Sequence, residues 1–128
     1  MAEFISIAVC GAHMSLLPLN HQLTDLGAHF EKESATSSGY RLYAVPEKLP
    51  PRPGLLRDAT SEASVKLELW RMPLENFGAF MVQIASPLCI GTVHLEDGSS
   101  AYGFLCESEA LKNAEEITAY GGWRAYLA

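Results

Sequence analysis

Apolar residues in this chain fall into short runs broken by glycine, proline and charged positions. Residues 3–10 form one continuous, largely apolar run with β-branched Ile5, Ile7 and Val9, which predicts a strand buried on both faces. The run stops at Gly11, where a residue without a Cβ lets the backbone turn sharply and approach a ligand. Leu23, Leu26 and Phe30 then recur at helical spacing and predict an amphipathic helix over 20–32. Gly27 weakens that helix by about 1 kcal/mol relative to alanine. Residues 34–39 read as a polar turn and 40–45 as a second strand.

Prolines 46, 50, 51 and 53 exclude a helix or a central strand and predict a rigid surface loop over 46–53. A short strand at 54–57 and an exposed loop at 58–64 follow. Residues 65–70 alternate apolar with polar, as in a half-buried strand. Leu74, Phe77, Phe80, Met81 and Ile84 fit one helix face, ended by Ser86 and Pro87. Segments 88–95 and 99–106 flank Asp97–Gly98, a pair that tolerates positive φ and predicts a hairpin. Ser108 is placed to cap a short helix reaching Ala114, with Glu109 in its first turn. The tail, 120–126, is aromatic and glycine-rich.

About six strands interspersed with two or three helices, without repeat or linker, predict one domain over 1–128. Its class is α/β mixed (α+β), a mixed sheet or small open barrel rather than a doubly wound fold. A 48% hydrophobic and 19% charged composition excludes disorder. A net charge of −6 with nine lysines and arginines argues against nucleic acid, whose phosphates need a cationic surface. No polybasic cluster or membrane-length apolar run is present, and the N-terminus lacks the basic region of a secretory signal. Cys10, Cys89 and Cys106 are odd in number and lie in strand-like runs, so they read as reduced, buried thiols. A cytoplasmic protein is expected, without metal or cofactor.

The loop after the first strand is the best candidate site on physical grounds. A glycine turn leaving a buried strand presents successive N–H groups as an anion-binding nest, beside the start of the next helix. His13 lies in it and carries the side chain suited to proton transfer near neutral pH. A histidine in a loop also serves often as a hydrogen-bonded structural residue. Arg41, flanked by tyrosines, reads either as a snorkelling edge-strand cation or as a carboxylate clamp. No hydrolytic triad, nucleophile elbow or phosphate loop can be assembled.

Ordered blocks then carry a resemblance: VCGAHMS at 9–15, PLN at 18–20, GYRLY at 39–43, PGL at 53–55 and FG at 77–78. PLCIGTV at 87–93, GFLCE at 103–107 and GGWRAYL at 121–127 complete them. With these blocks the chain resembles, almost end to end, the C-terminal domain of allophanate hydrolase. The resemblance implies a γ-glutamylcyclotransferase-like fold, a small barrel of mixed strands with helices around it. It implies a part in decarboxylating N-carboxycarbamate, with His13 at the position of a participating histidine. By the same resemblance Gly11, Ala12 and Met14 bind a substrate carboxylate through backbone N–H groups, and Asn20 and Arg41 are further binding candidates by their place in the motifs.

The chain departs from two related activities. Cyclotransferases carry a catalytic glutamate where this chain reads Met81–Val82–Gln83–Ile84–Ala85, so that activity is not expected. An amidase domain, which the resemblance places beside this one in the fusion enzyme, cannot be built from 128 residues. The partner expected is a small carboxylate. A separately encoded amidase subunit, a second copy of the chain and an unrelated carboxylated metabolite are the alternatives.

Overall fold

A computed structural model describes residues 3–46 and 49–128. Among these residues eight strands form two sheets. The larger, in the order β2–β5–β1–β7–β6, uses β1 (Phe4–Val9), β2 (His29–Ala35), β5 (Lys66–Pro73), β6 (Leu88–His94) and β7 (Ser100–Cys106). The smaller, in the order β4–β3–β8, uses β3 (Tyr40–Val45), β4 (Arg52–Arg57) and β8 (Glu115–Glu116). Three short helices are added, α1 (His21–Thr24), α2 (Phe77–Met81) and α3 (Trp123–Leu127). The class is therefore the mixed α+β expected.

β1 is central, antiparallel to β5 and parallel to β7. Ile7, Ala8 and Val9 are buried, so both faces are covered over that half of the strand, whereas Phe4, Ile5 and Ser6 are half-buried. β6 and β7 form the expected hairpin, with Gly98 at φ +88 after Asp97. The two sheets meet where β4 lies against β7: a Cβ on Gly54 would sit 2.9 Å from the Cys106 sulfur.

The helix expected over 20–32 ends after one turn. Gly27 takes φ +82, its N–H donates to the Thr24 carbonyl, and the Ala28 N–H donates to Leu23. This left-handed closure stops the helix. Residues 29–35 become the edge strand β2, which carries Glu31, Lys32 and Glu33 and so resists edge-to-edge pairing.

The polar turn shrinks accordingly, because Ser34 and Ala35 belong to that strand. The rigid loop over 46–53 is also shorter than expected, because β4 begins at Arg52. Pro53 is tolerated there because β4 is an edge strand. The helix over 74–84 resolves into a 3-10 turn, Leu74–Asn76, followed by α2. Phe80 is fully buried, but Leu74 and Met81 are about half exposed, so they do not share one buried face. Ser108 lies inside a 3-10 turn and makes no cap; Glu107 precedes that turn. Cys10 and Cys106 are buried free thiols, whereas Cys89 is exposed on the edge strand β6.

Candidate active site around His13

Where β1 ends, the chain must turn away from a sheet crowded on both sides. Gly11 makes this possible, because a Cβ there would fall 2.7 Å from Pro53 Cγ. The turn is tied through its carbonyls. Met14 N–H donates to Gly11 O (3.0 Å), Leu19 N–H to Ala12 O (2.8 Å) and Asn20 Nδ2 to His13 O (2.8 Å). With those oxygens engaged, the backbone N–H groups of Gly11, Ala12 and His13 meet no acceptor among the described residues. Successive free N–H groups of this kind make an anion-binding nest.

The His13 side chain is buried, stacked on Phe104 of β7 at 4.7 Å and met edge-on by Phe80 of α2 at 5.7 Å. Its Nε2 lies 2.7 Å from Gln22 Oε1. With the Gln22 amide in this orientation its oxygen accepts from Nε2–H, the tautomer that leaves a lone pair on Nδ1. Burial pushes the imidazole down to about 4; the Gln22 hydrogen bond pulls upward, and the Arg52 and His21 charges add to the depression. His13 is therefore neutral at pH 7 in the free protein.

This has a consequence for stability. Between pH 6.5 and 4 the unfolded chain binds a proton at this position that the folded chain refuses, so stability falls as pH falls. The loss amounts to about 3 kcal/mol on complete descent through that window. Urea unfolding at pH 7 and pH 4 is expected to show it, and a His13→Gln protein to lack this part of the slope.

A small cavity of about 20 Å³ is lined by Cys10, Gly11, Ala12, His13, Arg52 and Phe104, together with Pro53 and Leu88. It has room for roughly one water. Half-buried Arg52 is the longest side chain of its lining. Its guanidinium rests on the carbonyls of Pro50 (3.2 Å) and Leu49 (3.3 Å) and makes no ion pair among the described residues. Burial raises the Cys10 thiol to about 12, so it stays protonated.

The other residues named from sequence lie as follows. Asn20 props the loop through the His13 carbonyl and does not line the cavity. Met14 faces away, into a separate groove of about 510 Å³ between β2, β5 and α3, and its N–H is already used within the turn. Arg41 is a clamp, but on the protein's own groups: Asp58 at 2.9 Å, Glu116 at 3.1 Å and the Thr60 hydroxyl at 3.3 Å. Thr60 and Arg41 together hold the Asp58 carboxyl down to about 2. Arg52 and Gln22, which face His13, are not apparent from sequence. Arg52 sits between Pro51 and Pro53 and is hidden by the loop those prolines predict; Gln22 has only its position early in the next helix as a signal.

A second polar cluster lies just past the turn. The Glu68 carboxylate on β5 is buried and accepts from Ser15 N–H (2.8 Å), Ser15 Oγ (3.1 Å), Trp70 Nε1 (3.1 Å) and Arg124 Nη2 (3.0 Å). Burial pulls its pKa upward, but these donors more than offset that and leave it below the ordinary value. Among the described residues no group of three His, Cys, Asp or Glu side chains could hold a metal ion, and no helix is long and apolar enough to cross a membrane.

Comparison with known proteins places this chain in a family. The chain is 42% identical over 127 residues to the urea amidolyase of Saccharomyces cerevisiae, covering 96% of this chain and 7% of that protein. Among solved structures it matches Kluyveromyces lactis allophanate hydrolase at 35% identity and TM-score 0.94, over 98% of this chain and 21% of that one. It also matches a uropathogenic E. coli-specific protein at 33% identity and TM-score 0.91, over 98% and 96% of the two chains. The chain thus spans a small fraction of the first two relatives and nearly all of the third. A γ-glutamyl cyclotransferase, 15% identical with TM-score 0.62 over 89% of this chain and 70% of that one, shares the fold alone. The family model for the allophanate hydrolase C-terminal domain matches residues 5–128, and the chain belongs to that family.

Proposed function

We propose that the chain binds a small carbamate bearing two carboxylates, of the N-carboxycarbamate type, and assists its decarboxylation. The observation that carries this reading is the loop at 11–13, with its acceptor-free N–H groups set beside His13 and Arg52. One carboxylate is held by the N–H groups, and Arg52 swings to meet the other in a bidentate pair. Loss of CO2 breaks a C–N bond whose electron pair stays on nitrogen, so that nitrogen must take a proton. The balanced step converts the dianion and one proton into CO2 and carbamate.

His13 is neutral before substrate arrives. A bound dianion favours the imidazolium and raises its pKa, so His13 takes up the proton at Nδ1 and passes it to the departing nitrogen. Fixed donors hold the substrate in the pose this transfer needs.

Malonate has the carboxylate spacing of that substrate and does not decompose, which makes it the binding probe. Arg52→Gln is expected to weaken malonate binding by about 10–100-fold, the scale of one charge-assisted contact. Isothermal calorimetry checks this, and an unchanged affinity removes Arg52 from the site. A companion role beside a separately encoded amidase is the second reading, favoured by the S. cerevisiae relative in which the matching segment is 7% of a long protein. It predicts malonate binding without CO2 release by the chain alone.

A further inference from the structure

We infer that Glu68, paired with Arg124, is a positioning residue for the His13 loop; the inference rests on reading that loop as the carboxylate site. In the β1–β5 register Glu68 stands opposite Val9, the last residue of β1. Its carboxylate therefore lies beside the point where the strand becomes the loop. A carboxylate in a buried strand is an expensive choice for stability alone, since a well-packed apolar side chain often serves as well or better. Here two of its four hydrogen bonds go to Ser15, the others coming from Trp70 Nε1 and Arg124 Nη2. Ser15 N–H and Oγ donate to the two Glu68 oxygens, while Arg124 Nη2 bonds Ser15 O at 2.7 Å and Glu68 Oε2 at 3.0 Å. Ser15 is thus held by its N–H, its hydroxyl and its carbonyl, two positions beyond His13.

The next residue shows that the hold is not a local preference of the chain. Leu16 takes φ +65, a conformation that non-glycine residues adopt rarely, and its side chain is 97% exposed. It gains no burial in return. The Ser15 clamp on one side and the Leu17–Met14 and Leu19–Ala12 bonds on the other keep the turn shut across this residue. With β1 fixing Val9 and the clamp fixing Ser15, the turn that carries the N–H groups of residues 11–13 is anchored at both ends. The C-terminal helix α3, through Arg124, becomes part of that anchor.

The test uses the full chain and ligand-free protein as well as malonate. Glu68→Gln keeps the shape but loses the charge that Arg124 requires; Arg124→Gln removes the other half of the pair at a position whose side chain is 46% exposed. Both are expected to move the amide NMR resonances of Gly11, Ala12 and His13 in the absence of ligand. Both are also expected to weaken malonate by about tenfold or more, the scale of a lost charge-assisted bond. Arg124→Lys, which keeps a cation against Glu68, is expected to restore part of that loss. Wild-type amide resonances and wild-type affinity in a folded Arg124→Gln protein would overturn the inference, and that variant carries the test if Glu68→Gln does not fold. If wild-type protein fails to bind malonate, the functional reading falls. The ligand-free resonances then still decide the clamp on their own.

Discussion

Replacing His13 with alanine is expected to slow CO2 release from enzymatically generated N-carboxycarbamate by about 10²–10⁴-fold, the range of one well-placed general acid. That is roughly 3–5 kcal/mol of barrier. The effect is large because among the described residues the cavity has no second side chain able to donate a proton near neutral pH. Beside His13 lie the Cys10 thiol, which burial keeps protonated, and the Arg52 side chain, which donates to the Pro50 and Leu49 carbonyls. Melting temperature is recorded alongside, because His13 also stacks on Phe104 and its loss leaves a void. A folded His13→Ala protein as fast as wild type contradicts the proposed role.

The second large effect concerns a core ring packed against His13 and Phe104. Phe80→Ala is expected to lower stability by about 3–5 kcal/mol, because Phe80 is fully buried and deletion of a core ring leaves a cavity that closes only in part. At this chain length that is roughly a 10–20 °C fall in melting temperature. The same substitution acts on chemistry. Phe80 meets His13 at 5.7 Å and Phe104 at 5.7 Å, so its removal lets water reach the imidazole. The His13 value then rises from about 4 toward its ordinary 6.5, which NMR titration of the ring reads directly. A loss under about 1 kcal/mol, or an unmoved His13, contradicts the role given to this ring.

These residues also show what is legible in the sequence. β1, β3 and the hairpin are readable because their alternation or continuity has no competing period, and the hairpin turn has its own chemistry in Asp97–Gly98. β2 is hidden because an exposed, charged edge strand buries too little to leave a pattern. Leu23, Leu26 and Phe30 happen to continue the helical spacing past Gly27. β8 is two glutamates long and carries no periodicity at all.

The site divides in the same way. Gly11 and His13 stand out as a break after a buried strand. Arg52, Gln22 and Glu68 reach the loop from other elements, and only the folded register brings them there. Arg41 is conspicuous in sequence as a cation among tyrosines, yet its charge is spent on Asp58 and Glu116.

In the proposed function residues 11–13 receive a dicarboxylate, and its arrival charges His13. Titration of isotope-labelled protein with malonate, followed by NMR of the backbone amides and the His13 ring, tests both parts at once. The expected result is saturable shifts centred on Gly11, Ala12 and His13, with the His13 ionisation moving up from about 4 in the complex. Shifts confined to the groove at Lys66 and Arg124, or no saturable shift at all, would contradict it.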